Sequence, residues 1–236
     1  MSGTVATKAT RLVDPAEPVE ISAPPPRFVG RGGEKLDAAL DRFAIPVAGR
    51  RAVDAGASTG GFTDVLLQRG AERVVAIDVG RNQLHERLRA DLRVDSRERT
   101  NIRGVTAEDV GGAVPIVVAD LSFISLRSVV DALLGLAADG ADLVLLVKPQ
   151  FEAAKVEASK GRGVITDPAV WRRVLDEVCG ALRGRGAAIM GLMVSPLRGA
   201  DGNVEFLLHA RAREPVPGPV DDATVAAVVA DAEGPR

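Results

Sequence analysis

The sequence predicts an α/β fold, with a mostly parallel, doubly wound sheet that ends in an antiparallel strand. Short apolar runs alternate with segments of helical spacing along most of the chain, which is typical of parallel strands joined by crossover helices. Hydrophobic residues make up 46% of the 236 residues and aromatic residues only 3%, so we expect an aliphatic core. Only residues 195–203 separate the last two predicted strands, and this short connection favours antiparallel pairing.

Each predicted strand is an apolar run bounded by polar or turn-forming residues. The run at 142–147 is almost entirely aliphatic, as expected for a strand that is buried on both faces. The run around 101–102 is the weakest. The predicted strands cover residues 51–54, 73–79, 101–102, 115–119, 142–147, 186–194 and 205–210.

The predicted helices are supported by apolar spacing and by their end residues. Apolar residues of the segment 34–43 recur at helical spacing and share one face. Asp167 is placed to cap a helix whose first residue is Pro168, and Gly184 ends it. The predicted helices cover residues 34–43, 61–68, 83–90, 125–136, 168–182 and, in the tail, 222–231.

These elements divide the chain into three parts. Residues 1–27 form no obvious domain, although residues 5–7 and 19–21 have the composition of short strands and prolines 24–26 indicate a stiff linker. Residues 28–213 contain the alternating strands and helices. Residues 214–236 form a tail that is rich in proline and alanine.

Composition and charge restrict the classes of function. A net charge of −2 gives no whole-chain electrostatic case for nucleic acid, so such a ligand would need a local basic patch. Cys179 is the only cysteine, which excludes an intramolecular disulfide, and His85 and His209 are too few for a histidine metal site. Without an apolar run of about 18 residues or a signal pattern, we expect a cytoplasmic protein with neither a metal nor a membrane partner.

A glycine-rich turn follows the first predicted strand, at residues 53–62 with the sequence VDAGASTGGF. Ligands of open α/β sheets bind at such carboxyl ends of strands. Asp78 ends the next strand, 22 residues after Gly56, where a carboxylate can accept hydrogen bonds from ribose hydroxyls. The turn therefore predicts a nucleotide-like ligand.

Three interpretations of this turn compete. A dinucleotide site requires a glycine where Ser58 stands. The sequence G-x-S-x-G also fits a hydrolase in which Ser58 is the nucleophile and His209 the base. The third interpretation is an S-adenosylmethionine site, because acidic residues at the ends of both strands suit a ligand with an amino acid, a ribose and no phosphates.

Lys148 closes the aliphatic run 142–147 in a chain that contains only five lysines among 30 basic residues. A buried amine is costly unless it is paired or used. Arginine keeps its proton near neutral pH, whereas a partly buried lysine can lose it. Lys148 is thus either a deprotonatable functional amine or one partner of a structural ion pair.

Residues 28–211 resemble the FtsJ-type ribose 2′-O-methyltransferases, and most closely the TlyA family of ribosomal RNA methyltransferases. The resemblance is carried by six motifs in the family's order. They are GRGGEKLD at 30–37, DAGASTGGFT at 54–63, AIDVG at 76–80, DLSFI at 120–124, VKPQFE at 147–152 and GNVEF at 202–206.

This resemblance implies a Rossmann-like methyltransferase fold, S-adenosylmethionine as cofactor, and a reaction at ribose 2′-hydroxyls of cytidine in ribosomal RNA or ribosomal subunits. The implied catalytic tetrad is Lys35, Asp120, Lys148 and Glu205. Lys148 would be the general base or would orient the hydroxyl. The implied cofactor-binding residues are Asp54, Gly56, Ser58, Gly60, Gly61, Asp78 and, at the adenine edge, Asn101.

The resemblance leaves other interpretations open. Members of the TlyA family usually carry an N-terminal S-four-type RNA-binding domain, of which residues 1–27 would be a remnant. One alternative is a methyltransferase of another substrate class, although residues 120–123 lack the Asn-Pro-Pro-Tyr type of motif that amino-group methylation requires. Another is a non-catalytic RNA-binding or haemolysin-like protein. Candidate phosphate contacts are Arg27, Arg31, Arg50, Arg51, Lys155, Lys160 and Arg162.

Overall fold

The structure is a computed structural model that describes residues 26–154, 157, 163–214 and 218–234. Seven strands form one sheet in the described part of the chain. They are β1 (Arg51–Ala55), β2 (Arg73–Ile77), β3 (Val94–Arg97), β4 (Val114–Ala119), β5 (Ala137–Val147), β6 (Ala188–Val194) and β7 (Phe206–Arg211). The helices are α1 (Gly32–Arg42), α2 (Gly61–Gln68), α3 (Glu86–Arg89), α4 (Val130–Leu136), α5 (Pro149–Glu152), α6 (Pro168–Arg183) and α7 (Asp222–Glu233).

The sheet has the strand order β3-β2-β1-β4-β5-β7-β6. Strands β1 to β5 pair in parallel, and β7 lies antiparallel between β5 and β6. This arrangement confirms the predicted fold class, including the antiparallel pairing of the last two strands. The short loop between β6 and β7 leaves no room for the crossover that a parallel connection needs.

Helices cover both faces of the sheet, so the core has two halves. Along β5, Leu143, Leu145 and Val147 face one half, while Val144 and Leu146 face the other, and all five are buried. Helices α4, α6 and α7 pack on the first face, and α1 and α2 pack on the second. A strand buried on both faces reads as a continuous aliphatic run, which is why β5 was evident in the sequence.

The third strand was predicted at the wrong place. The structure has a strand at Val94–Arg97, and Ile102 instead begins a 3₁₀ turn, Ile102–Gly104. β3 is an edge strand with the sequence VDSR and is only half-buried, so it lacks the apolar pattern on which strand prediction depends. Edge strands are generally short and polar.

Several helices differ from their predicted bounds, and some predictions lie outside the described residues. The segment 83–90 forms only one helical turn, Glu86–Arg89, and the segment 125–136 starts as a 3₁₀ turn before α4 begins at Val130. The tail helix extends slightly further than predicted, to Glu233. The strands predicted at 5–7 and 19–21 are outside the described part of the chain.

The topology brings the candidate residues to one edge of the sheet. Asp78, Asp120 and Lys148 directly follow β2, β4 and β5, whose carboxyl ends meet there. Glu205 directly precedes β7, which starts at the same edge because it runs antiparallel to β5. No helix in the described residues is long and apolar enough to cross a membrane.

Candidate active site

Two adjoining cavities open at this edge of the sheet. The first, of about 360 Å³, is lined by both Lys35 and Lys148 and is called the lysine cavity. The second, of about 500 Å³, is lined by Asp78 and is called the Asp78 cavity. Four residues line both cavities, so the two form one continuous site: Gly56, Ser58, Asp120 and Ser122.

The four predicted tetrad residues all line the lysine cavity, where they form two ion pairs. Lys148 Nζ lies 2.6 Å from Asp120 Oδ1. Lys35 Nζ lies 2.5 Å from Glu205 Oε2, and both of these side chains are buried. The structure thus brings together residues that are separated by as many as 170 positions in the sequence.

Local structure positions Lys148 and packs against Glu205, the partner of Lys35. Lys148 precedes Pro149, which starts α5 and locks the backbone at the end of β5. Lys148 Nζ also donates a hydrogen bond of 2.9 Å to Ser122 Oγ. On the other wall, Gly199 lies so close to Glu205 that a Cβ atom there would be 2.7 Å from Glu205 Oε1. Each ion pair is therefore held by a neighbouring segment.

Glu152 connects the segments that carry Asp120 and Lys148. Its buried carboxylate accepts hydrogen bonds from Ser125 Oγ at 2.5 Å and from the backbone N–H of Leu126 at 2.6 Å. Both donors lie in the loop after Asp120, whereas Glu152 ends the helix after Lys148. The carboxylate therefore ties α5 to that loop. Sequence analysis missed this role of Glu152 and also that of Ser122.

The Asp78 carboxylate is held by two backbone donors. Asp78 Oδ2 accepts from the Ser58 N–H at 2.8 Å, and Oδ1 accepts from the Gly80 N–H at 2.6 Å. Ile77, Ile102 and other apolar residues line the same cavity, and no lysine or arginine side chain is among its described lining residues. A carboxylate beside an apolar wall suits the ribose and the base of an adenosine.

Five of the seven predicted cofactor-binding residues line one or both cavities. Gly56 and Ser58 line both cavities, Gly61 lines the lysine cavity, and Asp78 and Asn101 line the Asp78 cavity. Asp54 and Gly60 line neither. Residues 58 and 60 have positive φ angles of 48° and 97°, which shape the turn.

Two glycines of the turn are required by close packing. A Cβ atom on Gly56 would lie 2.4 Å from the carbonyl oxygen of Asp120, so this glycine lets the turn approach the end of β4. A Cβ atom on Gly60 would lie 2.2 Å from the side chain of Leu88. Gly60 thus serves the packing of α3 against the turn.

Asp54 lies beneath the turn and is fully buried. Its Oδ2 accepts a hydrogen bond of 2.7 Å from Thr63 Oγ1, whereas its Oδ1 has no hydrogen-bond partner among the described residues. Burial raises the pKa of Asp54 to about 7, and the nearby Asp120 and Asp78 add to this increase. One carboxyl oxygen of Asp54 is thus buried without a hydrogen-bond partner among the described residues.

The structure argues against the hydrolase and dinucleotide interpretations. His209 is buried in β7, with its Nε2 2.9 Å from Asp142 Oδ1 and its ring against Phe43, and it lines neither cavity of Ser58. A dinucleotide site requires a glycine where Ser58 stands, and Ser58 lines both cavities. No described group of three or more His, Cys, Asp or Glu residues is arranged to hold a metal ion.

Comparison with known proteins gives a family match over most of the chain. Residues 28–212 match the family described as FtsJ-like methyltransferase. The chain is 54% identical over 184 residues to the 16S/23S rRNA (cytidine-2′-O)-methyltransferase TlyA of Mycobacterium tuberculosis, a match that covers 78% of this chain and 68% of that relative.

Solved structures agree with this match. A protein described as a putative hemolysin from Streptococcus thermophilus superposes with a TM-score of 0.84 at 41% identity, covering 89% of this chain and 75% of that one. A putative S-adenosylmethionine dependent methyltransferase from Listeria monocytogenes has a TM-score of 0.58 at 18% identity, covering 78% of this chain and 100% of that one, which shows a shared fold.

Proposed function

Since the chain belongs to the FtsJ-like methyltransferase family, within its TlyA group, we propose that it methylates ribose 2′-hydroxyls of ribosomal RNA with S-adenosylmethionine. We assign this activity to residues 28–213. One observation carries the proposal. Four charged residues from four separate segments line a single cavity, and this cavity is continuous with a second one that suits an adenosine.

The Asp78 cavity fits the proposed cofactor. When it is bound, S-adenosylmethionine supplies an electrophilic methyl group on a sulfonium. Asp78 would accept hydrogen bonds from the ribose hydroxyls, and Asn101 would contact the adenine edge. Gly56 and Ser58 would present backbone to the amino acid portion, because they line both cavities. Asp54 and Gly60 would act indirectly, through the turn that they support.

The lysine cavity would hold the hydroxyl that is methylated. Lys148 would orient this hydroxyl and, once it has released a proton to solvent and become a neutral amine, accept the hydroxyl proton, while Asp120 and Ser122 keep the amine in place. The Lys35–Glu205 pair on the other wall would hold the ribose. Positioning two reactants in this way supplies a large part of the rate of a transfer reaction.

The Mycobacterium tuberculosis relative is named for cytidine in 16S and 23S rRNA, and we propose the same nucleotide and substrate class for this chain. The protein would then act in the cytoplasm, where ribosomal RNA and ribosomal subunits are found in bacteria. A membrane-acting role, which the hemolysin descriptions of relatives suggest, would not require the two cavities.

The proposal is tested first by ligand binding. Isothermal titration calorimetry should show binding of S-adenosylmethionine and none of the dinucleotide NAD, because Ser58 stands where the close approach of a pyrophosphate requires a glycine. In a second assay, the protein should transfer a tritium-labelled methyl group from S-adenosylmethionine to ribosomal RNA, both free and within subunits. A chain that binds no S-adenosylmethionine would overturn the proposal and favour a non-catalytic protein.

A further inference from the structure

Four arginines near α1 were candidate phosphate contacts, and in the structure three of them pair with or donate to other protein groups. Arg27 pairs with Asp37 at 2.5 Å, and Arg50 pairs with Asp142 at 2.9 Å. Arg51 donates a hydrogen bond of 2.5 Å to the carbonyl oxygen of Val110. The fourth, Arg31, is treated below. The later candidates Lys155, Lys160 and Arg162 lie outside the described residues.

Arg31 is exposed and lines the lysine cavity. Its guanidinium forms no hydrogen bond or ion pair with any residue that the structure describes, although most arginines here pair with a carboxylate. Arg31 directly precedes α1 and lies four positions before Lys35, about one helical turn away. It thus flanks the Lys35–Glu205 pair on the α1 side of the cavity.

A second arginine, Arg198, flanks the same pair from the other side. It lies in the loop between β6 and β7, is exposed, and lines the lysine cavity. Its Nη1 donates a hydrogen bond of 3.2 Å to the carbonyl oxygen of Gly202, and no described carboxylate pairs with it. The next residue, Gly199, packs against Glu205. Sequence analysis did not identify Arg198.

Arg31 and Arg198 are the two cationic residues of the lysine cavity that no described carboxylate neutralises. Among the lining residues, Lys35 and Lys148 are neutralised by Glu205 and Asp120, so the cavity's excess positive charge comes from Arg31 and Arg198. The whole chain has a net charge of −2, which gives no general attraction for nucleic acid. A local basic site that a polynucleotide would need is therefore present at the tetrad itself.

We infer that Arg31 and Arg198 form a phosphate clamp, in which each guanidinium binds one of the two phosphodiester groups that flank the target ribose. The guanidinium fork matches two phosphate oxygens, and a ribose within a polynucleotide has a phosphate on each side. The substrate is then a polynucleotide, because a free nucleoside lacks both groups. Such contacts position the target without reading its base. This inference rests on the proposed function.

The test compares Arg31→Ala and Arg198→Ala with Arg42→Ala. Arg42 is a matched control, because it is exposed at the end of α1, has no described partner and lines neither cavity. RNA binding is measured by fluorescence anisotropy against salt concentration, with a ribosomal RNA fragment. We expect each clamp variant to bind about 10-fold more weakly, and the slope of log K against log salt to shrink by about 0.7 per lost contact.

Kinetics and chemical substitution identify the contact. The clamp variants should raise KM for RNA and leave the affinity for S-adenosylmethionine unchanged, and Arg→Lys at either position should restore part of the affinity by restoring the charge. Neutral methylphosphonates at the two flanking positions should weaken binding to the wild type but should not weaken it further in the variant that has lost the corresponding arginine.

Several results would overturn the clamp. One is RNA affinity and salt dependence of both variants equal to those of Arg42→Ala. Another is methyl transfer to a free nucleoside as efficient as transfer to the RNA fragment. Failure of the proposed function looks different, because the wild type would then transfer no methyl group to RNA, and the salt-dependent binding would still decide whether the arginines hold phosphates.

Discussion

Two buried aspartates at opposite ends of the sheet have opposite surroundings. At the amino end of the parallel strands, Asp142 lies 2.9 Å from both Arg50 Nη1 and His209 Nε2, and Arg211 approaches at 3.5 Å. At the carboxyl end, Asp54 has one hydrogen bond and one oxygen without a described partner.

The pKa values of the two carboxyl groups reflect this difference. Burial would raise the pKa of Asp142, but hydrogen bonds from His209 and Arg50 outweigh it and lower the pKa below its usual range. Burial raises the pKa of Asp54 to about 7, because the hydrogen bond from Thr63 is too weak to offset it. The amino end thus holds a fully paired carboxylate, whereas the carboxyl end holds an incompletely paired carboxyl group beneath the turn that lines both cavities, as is common near functional sites.

The largest expected effect concerns Lys148. Lys148→Ala and Lys148→Arg should both lower the rate of methyl transfer in single turnover by about 10²–10⁴, because loss of a general base has this effect. The affinity for S-adenosylmethionine should remain, since the Asp78 cavity does not include Lys148. Thermal melting of Lys148→Arg should stay close to that of the wild type.

The two Lys148 variants distinguish a functional amine from a structural ion pair. If Lys148 served only as a structural partner of Asp120, arginine would substitute well and alanine would lower the melting temperature. Near-normal transfer by Lys148→Arg would exclude the base role and leave a positioning charge.

At the opposite end, Asp142→Ala should affect stability. Removing one partner of a buried ion pair leaves uncompensated charge, and we expect the free energy of unfolding to fall by about 3 kcal/mol. The measurement is urea denaturation. Binding of S-adenosylmethionine to the folded variant should be unchanged within about twofold. A variant of normal stability with impaired cofactor binding would reverse the comparison between the two ends.

The third effect concerns Asp78. Hydrogen bonds to a charged group contribute about 1.5–3 kcal/mol each, so Asp78→Ala should weaken binding of S-adenosylmethionine at least about 10-fold in calorimetry. Glu86→Ala is a suitable control, because Glu86 is exposed nearby on α3 and lines neither cavity. An equal dissociation constant for Asp78→Ala and the control would remove Asp78 from the site.

The smallest effect is a pH dependence from Asp54. Because the folded state binds this proton more tightly than the unfolded state, the free energy of unfolding should fall as pH rises from about 4 to about 7 and level off above. Between pH 5 and pH 7 the wild type should lose roughly 2 kcal/mol more than Asp54→Asn. Parallel stability curves for the two proteins would contradict the raised pKa.

Asp142 should contribute with the opposite sign. Its folded pKa is lowered, so its contribution to stability is present above the unfolded pKa and is lost as pH falls through the folded pKa. As pH falls from about 7 to about 4, the stability of the wild type should therefore rise relative to that of Asp54→Asn, and below about pH 4 it should fall relative to that of Asp142→Asn.

Much of the fold was predictable because most strands are buried on both faces and have an aliphatic signature. β3 was missed because it is a half-buried edge strand whose polar residues hide the pattern. The start of α4 was predicted too early because hydrophobic spacing does not distinguish a 3₁₀ turn from an α-helix. The start of α3 was also predicted too early, because the helix begins only at Glu86, where the His85 side chain caps it by accepting a hydrogen bond from the Arg87 N–H.

The candidate site was predictable only for residues that a family motif identifies as functional. Motif order identified Lys35, Asp120, Lys148 and Glu205 as a set, and the structure places all four in one cavity. Ser122, Glu152 and Arg198 were missed because their roles arise from contacts between distant segments. The burial of Asp54 was also not evident, since its position near the end of a strand does not reveal which way the side chain points.

The central claim is that the two cavities together serve methyl transfer to a ribose 2′-hydroxyl. The most direct measurement is to incubate ribosomal RNA with the protein and labelled S-adenosylmethionine, digest the RNA to nucleosides and identify the labelled product. We predict 2′-O-methylcytidine with the wild type and almost none with Lys148→Ala. Label on a base, or no label despite normal cofactor binding, would contradict the account.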